Sequence, residues 1–175
     1  NEFHNSSLKE QKGYKIKEAF VLTHLGLGDT ITSIGAVRYL STVFDKVTVV
    51  CKKKNYENVM SFYSDDMSIS IFPVENDKDI SPTYGFPIDK FREIVKDKTL
   101  FLCGYHIFDR TRMAPMRYVP FNFYKDLRMK PQIFRDYFYI PQVETSKKLY
   151  EEVEKYKYVF IHNVSGTGKV FEISK

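Results

Sequence analysis

The sequence predicts an α/β protein with a Rossmann-like parallel sheet that carries helices on both of its faces. Short, continuous apolar runs such as FVLTHL and VTVVC are typical of strands covered on both sides. Segments with apolar residues at helical spacing separate these runs. Because strand and helix alternate repeatedly along the chain, we expect parallel strands joined by right-handed crossovers.

The first two strands and the helix between them form a βαβ unit in this prediction. The strands are predicted over residues 18–25 and 47–51, and the helix over residues 30–44, where Ile31, Ile34, Val37 and Leu40 form one apolar stripe. The pattern then repeats, with further elements predicted as a helix over 55–63, a strand over 68–74, a helix over 89–96 and a strand over 99–104.

The pattern changes after residue 104. The segment that follows is rich in aromatic residues, arginine and proline, and we predict short helices near 122–127 and 131–138. A helix of mixed charge is predicted over 144–156, and the apolar run YVFIH at 158–162 then starts the strand pattern again. We therefore expect a polar arm at 1–17, a Rossmann-like domain at 18–156 and the beginning of a second, truncated Rossmann-like domain at 157–175. The first residue, Asn1 rather than Met, also favours a piece of a longer protein.

Composition places the chain among ordinary globular proteins. Its 175 residues are 43% hydrophobic and 28% charged, which excludes a disordered or fibrous class. The net charge of +5 permits binding to phosphates of nucleotides, nucleic acid or lipid head groups, but a solvated Lys-rich surface explains it as well.

The remaining features of the sequence bear on its compartment. Cys51 and Cys103 lie in apolar runs and have no metal or disulfide spacing, so we expect buried free thiols. No stretch approaches the roughly 18 apolar residues of a membrane span, and the first residues lack the apolar core of a signal peptide. We expect a cytoplasmic protein, for which peripheral membrane association stays open.

The segment GLGD at residues 26–29 lies between the first strand and its helix. Glycine at such a turn allows a positive φ and lets a ligand approach the main chain, and the following helix start attracts anions. Ligands of open α/β sheets bind beyond the carboxyl ends of the strands. We therefore predict ligand contacts at Gly26, Leu27, Gly28 and Thr30. The structural alternative is a turn that merely requires glycine.

Two common phosphate-binding motifs do not fit the sequence. The dinucleotide motif G-x-G-x-x-G needs glycine where Ile31 stands, and the second strand ends in the lysines 52–54 rather than in an acidic residue. A P-loop near the end of the chain needs glycine and Ser or Thr where Asn163 and Val170 stand.

Asp29 is the residue that gives the GLGD segment a specific chemistry. A carboxylate in a first helical turn caps the helix, which is the structural explanation. The functional explanation is a general base that accepts a proton from a hydroxyl nucleophile. A phosphate-binding loop does not favour an anion at this place, whereas a loop that activates an alcohol does.

The segment THLGLGDTITSIGAVRYL, which includes Gly35 and Arg38, resembles the amino-terminal signature of GT-B glycosyltransferases related to the heptosyltransferase (ADP-heptose) group. The segments KKKNYENVMSFYSD and YVFIHNVSGTGK are similar to later parts of that family. The resemblance implies two facing Rossmann-like domains, the first for the acceptor and the second for a nucleotide-sugar donor. Asp29 then matches the proposed catalytic base. The residues that match the loop meeting the donor diphosphate are His162, Ser165, Gly166, Thr167 and Lys169.

The resemblance also gives a role to the segment after the fourth strand. His106, Arg110, Arg112 and Arg117 follow that strand, so we expect them to reach the same crevice. Arginine there holds a phosphate or sugar hydroxyls in a forked geometry. The alternative is a set of surface arginines on a packed aromatic loop.

On this basis we expect a glycosyltransferase that moves a sugar from a nucleotide-diphosphate sugar to a hydroxyl of a glycan or glycolipid acceptor. No metal or cofactor is expected, because the chain shows no Asp-x-Asp pair suited to a cation, and Asp65 and Asp66 fall in a turn after a helix, away from the strand ends. One alternative is a non-catalytic α/β module that binds a nucleotide or another phosphorylated ligand at the glycine turn. The other is a nucleic-acid-binding protein that uses the positive charge, although nucleic acid is not among the expected partners.

Overall fold

A computed structural model describes residues 17–23, 26–75, 89–104 and 119–157. The chain divides into two compact units between Pro141 and Gln142. The first unit holds the sheet, and the second holds one described helix, α7 (Glu144–Val153). Most of the predicted arm, and all residues from 158 onward, lie outside the described part, so the predicted domain boundary at 156–157 stays a prediction.

The described strands form one parallel sheet in the order β3-β2-β1-β4. These strands are β1 (Glu18–Leu22), β2 (Lys46–Lys52), β3 (Ile69–Val74) and β4 (Thr99–Leu102). Each neighbouring pair is parallel, and Val21 at the centre of the sheet lies opposite Val49 on one side and Phe101 on the other. The predicted α/β class with a Rossmann-like parallel sheet is confirmed.

Helices cover both faces of this sheet, as predicted. The helices of the first unit are α1 (Leu27–Thr32), α2 (Ile34–Ser41), α3 (Tyr56–Ser61), α4 (Asp89–Val95), α5 (Val119–Asp126) and α6 (Gln132–Asp136). Successive side chains of a strand point to opposite faces. Accordingly, Ala19 and Val21 of β1 join the cluster that α2, α3 and α5 cover, whereas Phe20 and Leu22 pack with α4.

The main departure from the predicted elements is in the first crossover. The helix predicted over 30–44 begins at Leu27 and is broken at Ser33 into α1 and α2. Gly28 and Asp29 therefore lie within the first turn of α1 rather than in a loop before it. The other described elements agree with their predictions to within a few residues. In the described part of the chain, no helix combines the length and the apolar character that crossing a membrane requires.

Gly35 allows α2 to pack closely against α6. A Cβ at this position would lie 2.8 Å from Tyr124 Oη, 2.9 Å from Ile133 O and 3.3 Å from Phe134 Cα. Two of these neighbours are main-chain atoms, which cannot retreat as the end of a side chain can. Close packing of α2 against α6 thus explains why residue 35 of the sequence signature is glycine.

Arg38 attaches the segment after α6 to the body of the domain. Its Nε donates to Tyr139 O at 2.8 Å, and its Nη2 donates to Phe62 O at 2.8 Å. Both Nη atoms also donate to the Asp65 carboxylate, at 2.7 and 3.2 Å. Since only 11% of the Arg38 side chain is exposed, this arginine is part of the domain's structure.

Candidate functional site

The carboxyl ends of β1 and β4 lie side by side. β1 has β2 on one side and β4 on the other, and the Cys103 amide donates to Leu22 O at 2.9 Å. In open α/β sheets this change of strand order marks the crevice where ligands bind. The two segments that the sequence singled out, GLGD and 105–118, follow these two strands along the chain.

The Asp29 carboxylate is folded back over the residue that precedes α1. Gly26 is the N-cap, with an extended backbone at φ −70° and ψ 146°. A Cβ on Gly26 would overlap Asp29 Oδ2 and would lie 3.4 Å from Asp29 Cγ. This location suits a capping role, as the structural alternative expects, and it also keeps the half-buried carboxylate at the end of β1.

The Asp29 charge also lies near the end of β4. Burial is the largest cause that raises the pKa of the Cys103 thiol well above its ordinary 9.0. The carboxylates of Asp126 and Asp29 raise that pKa further. Cys103 follows β4 directly, and Asp29 lies in the helix that follows β1. The effect of Asp29 on the Cys103 pKa therefore indicates that the carboxylate is near the ends of both strands.

The other predicted contacts of the GLGD segment differ in exposure. Gly28 is exposed, its φ is not positive, and a Cβ there would meet nothing within 4 Å. Neither packing nor backbone conformation requires glycine at this position, so the main chain is open to an approaching molecule.

Thr30 and Leu27 serve the fold around α1. Thr30 is only 1% exposed, and its Oγ1 donates to Gly26 O at 3.1 Å. Leu27 packs against the core. Their predicted ligand contacts stay predictions.

Tyr124 is the residue that the sequence analysis missed. Its buried hydroxyl donates to Thr32 O and accepts from Ala36 N, each at 3.1 Å. Thr32 and Ala36 are four residues apart, so the hydroxyl replaces a normal α-helical hydrogen bond. This insertion is the physical cause of the break at Ser33, and it fixes how α1 joins α2. Burial raises the Tyr124 pKa, so the hydroxyl keeps its proton near neutral pH.

The sequence around Tyr124 predicts that its side chain is buried, but it does not predict the contacts of its hydroxyl. The run VPFNFYKD has apolar residues at helical spacing, and Tyr124 falls on its buried side with Phe123. A buried tyrosine needs a hydrogen-bond partner for its hydroxyl, yet the run itself contains no indication of which partner that is.

Several predicted site residues lie outside the described part of the chain, so their roles stay predictions. They are His106, Arg110, Arg112 and Arg117 after β4, and His162, Ser165, Gly166, Thr167 and Lys169 near the end of the chain.

Asp65 and Asp66 are engaged in local contacts. They follow α3 and precede β3, which confirms their predicted place in a turn after a helix. Asp65 pairs with Arg38, and Asp66 Oδ1 accepts from Ser68 N at 2.9 Å and Ser68 Oγ at 2.6 Å. Among the residues that the structure describes, no group of three or more His, Cys, Asp or Glu side chains is placed to hold a metal ion.

The arrangement at the ends of β1 and β4 is that of a proton acceptor beside an open stretch of main chain. Asp29 supplies the carboxylate, and Gly28 supplies the exposed backbone. Such a pair has the chemical capacity of a general base acting on a bound hydroxyl.

No protein-family model, curated protein or solved structure matches this chain.

Proposed function

We propose that the chain is the acceptor-side half of a GT-B glycosyltransferase that moves a sugar from a nucleotide-diphosphate sugar to an acceptor hydroxyl. The observation that carries this proposal is the place of Asp29, in the first turn of the helix that follows β1 and beside the end of β4. The resemblance of the GLGD segment to that family supplies the reaction class, and a Rossmann-like sheet is the fold that the family uses.

The proposed reaction is a direct displacement. Asp29 accepts the proton of the acceptor hydroxyl while that oxygen forms a bond to the anomeric carbon of the donor sugar. The bond between the anomeric carbon and the diphosphate oxygen breaks, and the nucleoside diphosphate leaves with the electron pair. Donors in the second half of the protein stabilise the charge that develops on the diphosphate. The residues assigned to this task are His162, Ser165, Gly166, Thr167 and Lys169.

The two glycines of GLGD support this role in different ways. Gly26 leaves the space into which the Asp29 carboxylate folds. Gly28 leaves the main chain in the first turn of α1 exposed, and we expect an acceptor sugar to approach the carboxylate from this side. A longer side chain at either position would interfere with this approach.

The test is the variant D29N in the full-length protein. The protein is incubated with UDP-, GDP- and ADP-linked sugars and a pool of glycans and glycolipids, and the release of nucleoside diphosphate is measured. Loss of a general base should lower the release rate by about 100-fold or more. Unchanged release by D29N would remove Asp29 as the base.

A matched control separates catalysis from helix capping. Glu57 also lies in the first turn of a helix, α3, is exposed, and has no role in the proposed reaction. E57Q should therefore leave release unchanged, and thermal unfolding of both variants shows whether the fold is intact. If E57Q reduces release as much as D29N does, the effect of D29N comes from helix stability rather than from proton transfer.

The exposed main chain at Gly28 also favours the second candidate, a non-catalytic module that binds a phosphorylated ligand. This candidate predicts binding of UDP, GDP or ADP, measured by calorimetry, without any sugar transfer by the full-length protein. D29N would then strengthen the binding of these anions, because a negative charge is removed beside the site.

A further inference from the structure

The Tyr124 hydroxyl, on α5, bridges the junction between α1 and α2. It lies between the last residue of α1 and the first turn of α2, and it belongs to α5, which follows β4 and the segment 105–118 along the chain. The Tyr124 ring is fully buried, and it packs edge-on against Phe134 at 5.6 Å between ring centroids. The hydroxyl is therefore held firmly where it interrupts the helix.

We propose that Tyr124 is a positioning residue for Asp29: its hydroxyl sets the break at Ser33 and thereby fixes the direction in which α1 presents the carboxylate. This role rests on the proposed function of Asp29 as a general base. Tyr124 itself touches no reacting atom, because both of its hydrogen bonds go to main-chain atoms of α1 and α2.

A small change in the direction of α1 at the Ser33 break displaces the Asp29 carboxylate. Asp29 precedes Ser33 by four residues, which is about 6 Å along a helix. A tilt of about 10° at the break moves the carboxylate by about 1 Å over that length. A displacement of about 1 Å in a catalytic group costs about 100-fold in rate.

Removal of the hydroxyl changes the break without removing the ring. Y124F keeps the ring contact with Phe134 but leaves Thr32 O and Ala36 N without their bridging partner. The two groups are then free to bond directly to each other, which straightens α1 and α2 into one helix. Either that straightening or a looser junction changes the place of Asp29.

The experiment compares Y124F with two matched variants in the full-length protein. Y63F removes another buried tyrosine hydroxyl, one with no hydrogen-bond partner among the described residues. V95A destabilises the cluster on the opposite face of the sheet and leaves the α1–α2 junction untouched. The readouts are hydrogen exchange at the Ala36 amide, the NMR shift of the Asp29 carboxyl carbon, and kcat and KM for nucleoside diphosphate release.

For Y124F we expect a shifted Asp29 signal and a kcat lowered by about 10- to 100-fold with a nearly constant donor KM. Exchange at Ala36 should be faster if the junction loosens and slower if Ala36 N bonds directly to Thr32 O. Y63F should change none of these quantities. Replacement of Tyr124 by 4-aminophenylalanine restores a donor to Thr32 O but only a weak acceptor for Ala36 N. It should recover part of kcat and of the Asp29 signal, and it also serves if Y124F folds poorly.

Three outcomes would overturn the positioning role. They are an Asp29 signal and kcat in Y124F that match those of Y63F, a loss of kcat in V95A as large as in Y124F, or no recovery with 4-aminophenylalanine. The proposed function fails separately, when D29N keeps full release. In that case the Asp29 signal in Y124F still decides whether Tyr124 sets the carboxylate's position.

Discussion

The carboxylate of Asp29 occupies the space that a side chain on residue 26 would need. A Cβ on Gly26 would overlap Asp29 Oδ2, while the backbone of Gly26 has a φ of −70° that any residue adopts. The position of the neighbouring carboxylate, and not the conformation of the turn, therefore favours glycine here.

The variant G26A is expected to displace the Asp29 carboxylate at a small cost in stability. The overlapping atom is the end of a flexible side chain, and alanine in place of glycine at an N-cap costs at most about 1 kcal/mol. If Asp29 is the base of the proposed transferase, nucleoside diphosphate release should fall, and unfolding in urea should change little. The double variant G26A/D29N should release no more slowly than D29N alone, because both changes act on the same group. Independent losses that add in the double variant would contradict this account.

Gly35 and Gly28 are expected to respond oppositely to the same substitution. In G35A the new Cβ would lie 2.8 Å from Tyr124 Oη and 2.9 Å from Ile133 O, so we expect a loss of about 1–3 kcal/mol in the free energy of unfolding. In G28A the Cβ enters open space, and alanine favours a helix by up to about 1 kcal/mol over glycine. Urea denaturation of both variants measures these changes. A destabilised G28A would show that Gly28 has a structural role that the described contacts do not include.

Local periodicity predicted most of the described fold, because strands and helices depend on residues close in sequence. The break at Ser33 depends instead on Tyr124, which is 88 residues away from Ala36. The sequence analysis therefore placed GLGD between a strand and a helix but started that helix three residues late. The sequence signature likewise included Gly35 and Arg38 but did not explain them. Gly35 is needed for close packing against Ile133, and Arg38 pairs with Asp65, and both contacts join residues far apart in sequence.

The pairing of Arg38 with Asp65 should make stability depend on pH. The hydrogen bonds from Arg38 are the largest cause that lowers the pKa of Asp65 below its ordinary 3.8. The ion pair contributes its full stabilisation at pH values above the ordinary Asp pKa, which is that of the unfolded state. The contribution is lost as the pH falls through the lowered pKa of Asp65 in the folded state. Since 38% of the Asp65 side chain is exposed, solvent screening limits the contribution to about 1 kcal/mol near pH 7.

The measurement for this pair is the free energy of unfolding of D65N and wild type between pH 7 and pH 2. D65N should be less stable near neutral pH, and the difference should shrink below pH 4. The control is E75Q, which breaks the exposed pair between Lys53 and Glu75 and should leave stability unchanged. A difference between D65N and wild type that stays constant with pH would mean that charge pairing is not the cause.

The two thiols are expected to react only after the domain opens. Cys51 and Cys103 are 0% exposed, and burial raises the pKa of the Cys51 thiol to about 11. Because the thiolate is the reactive form, both groups should be inert to a disulfide reagent near pH 8 in the native protein. Addition of urea through the unfolding transition should release both thiols together. Rapid reaction of either thiol without denaturant would place it in a region that opens locally.

Two buried tyrosines of the same core, Tyr124 and Tyr63, test how much the bridge at the α1–α2 junction contributes to stability. Tyr124 Oη bonds Thr32 O and Ala36 N, whereas Tyr63 Oη has no hydrogen-bond partner among the described residues. We expect Y124F to lower the free energy of unfolding by about 1–3 kcal/mol, because the buried Ala36 amide and the part-buried Thr32 carbonyl lose the hydroxyl that bridges them. Y63F should be neutral or stabilising, because it removes a buried polar group that gains nothing from the fold. Equal losses in the two variants, measured by urea denaturation, would mean that the ring environment rather than the bridge at the α1–α2 junction determines the effect.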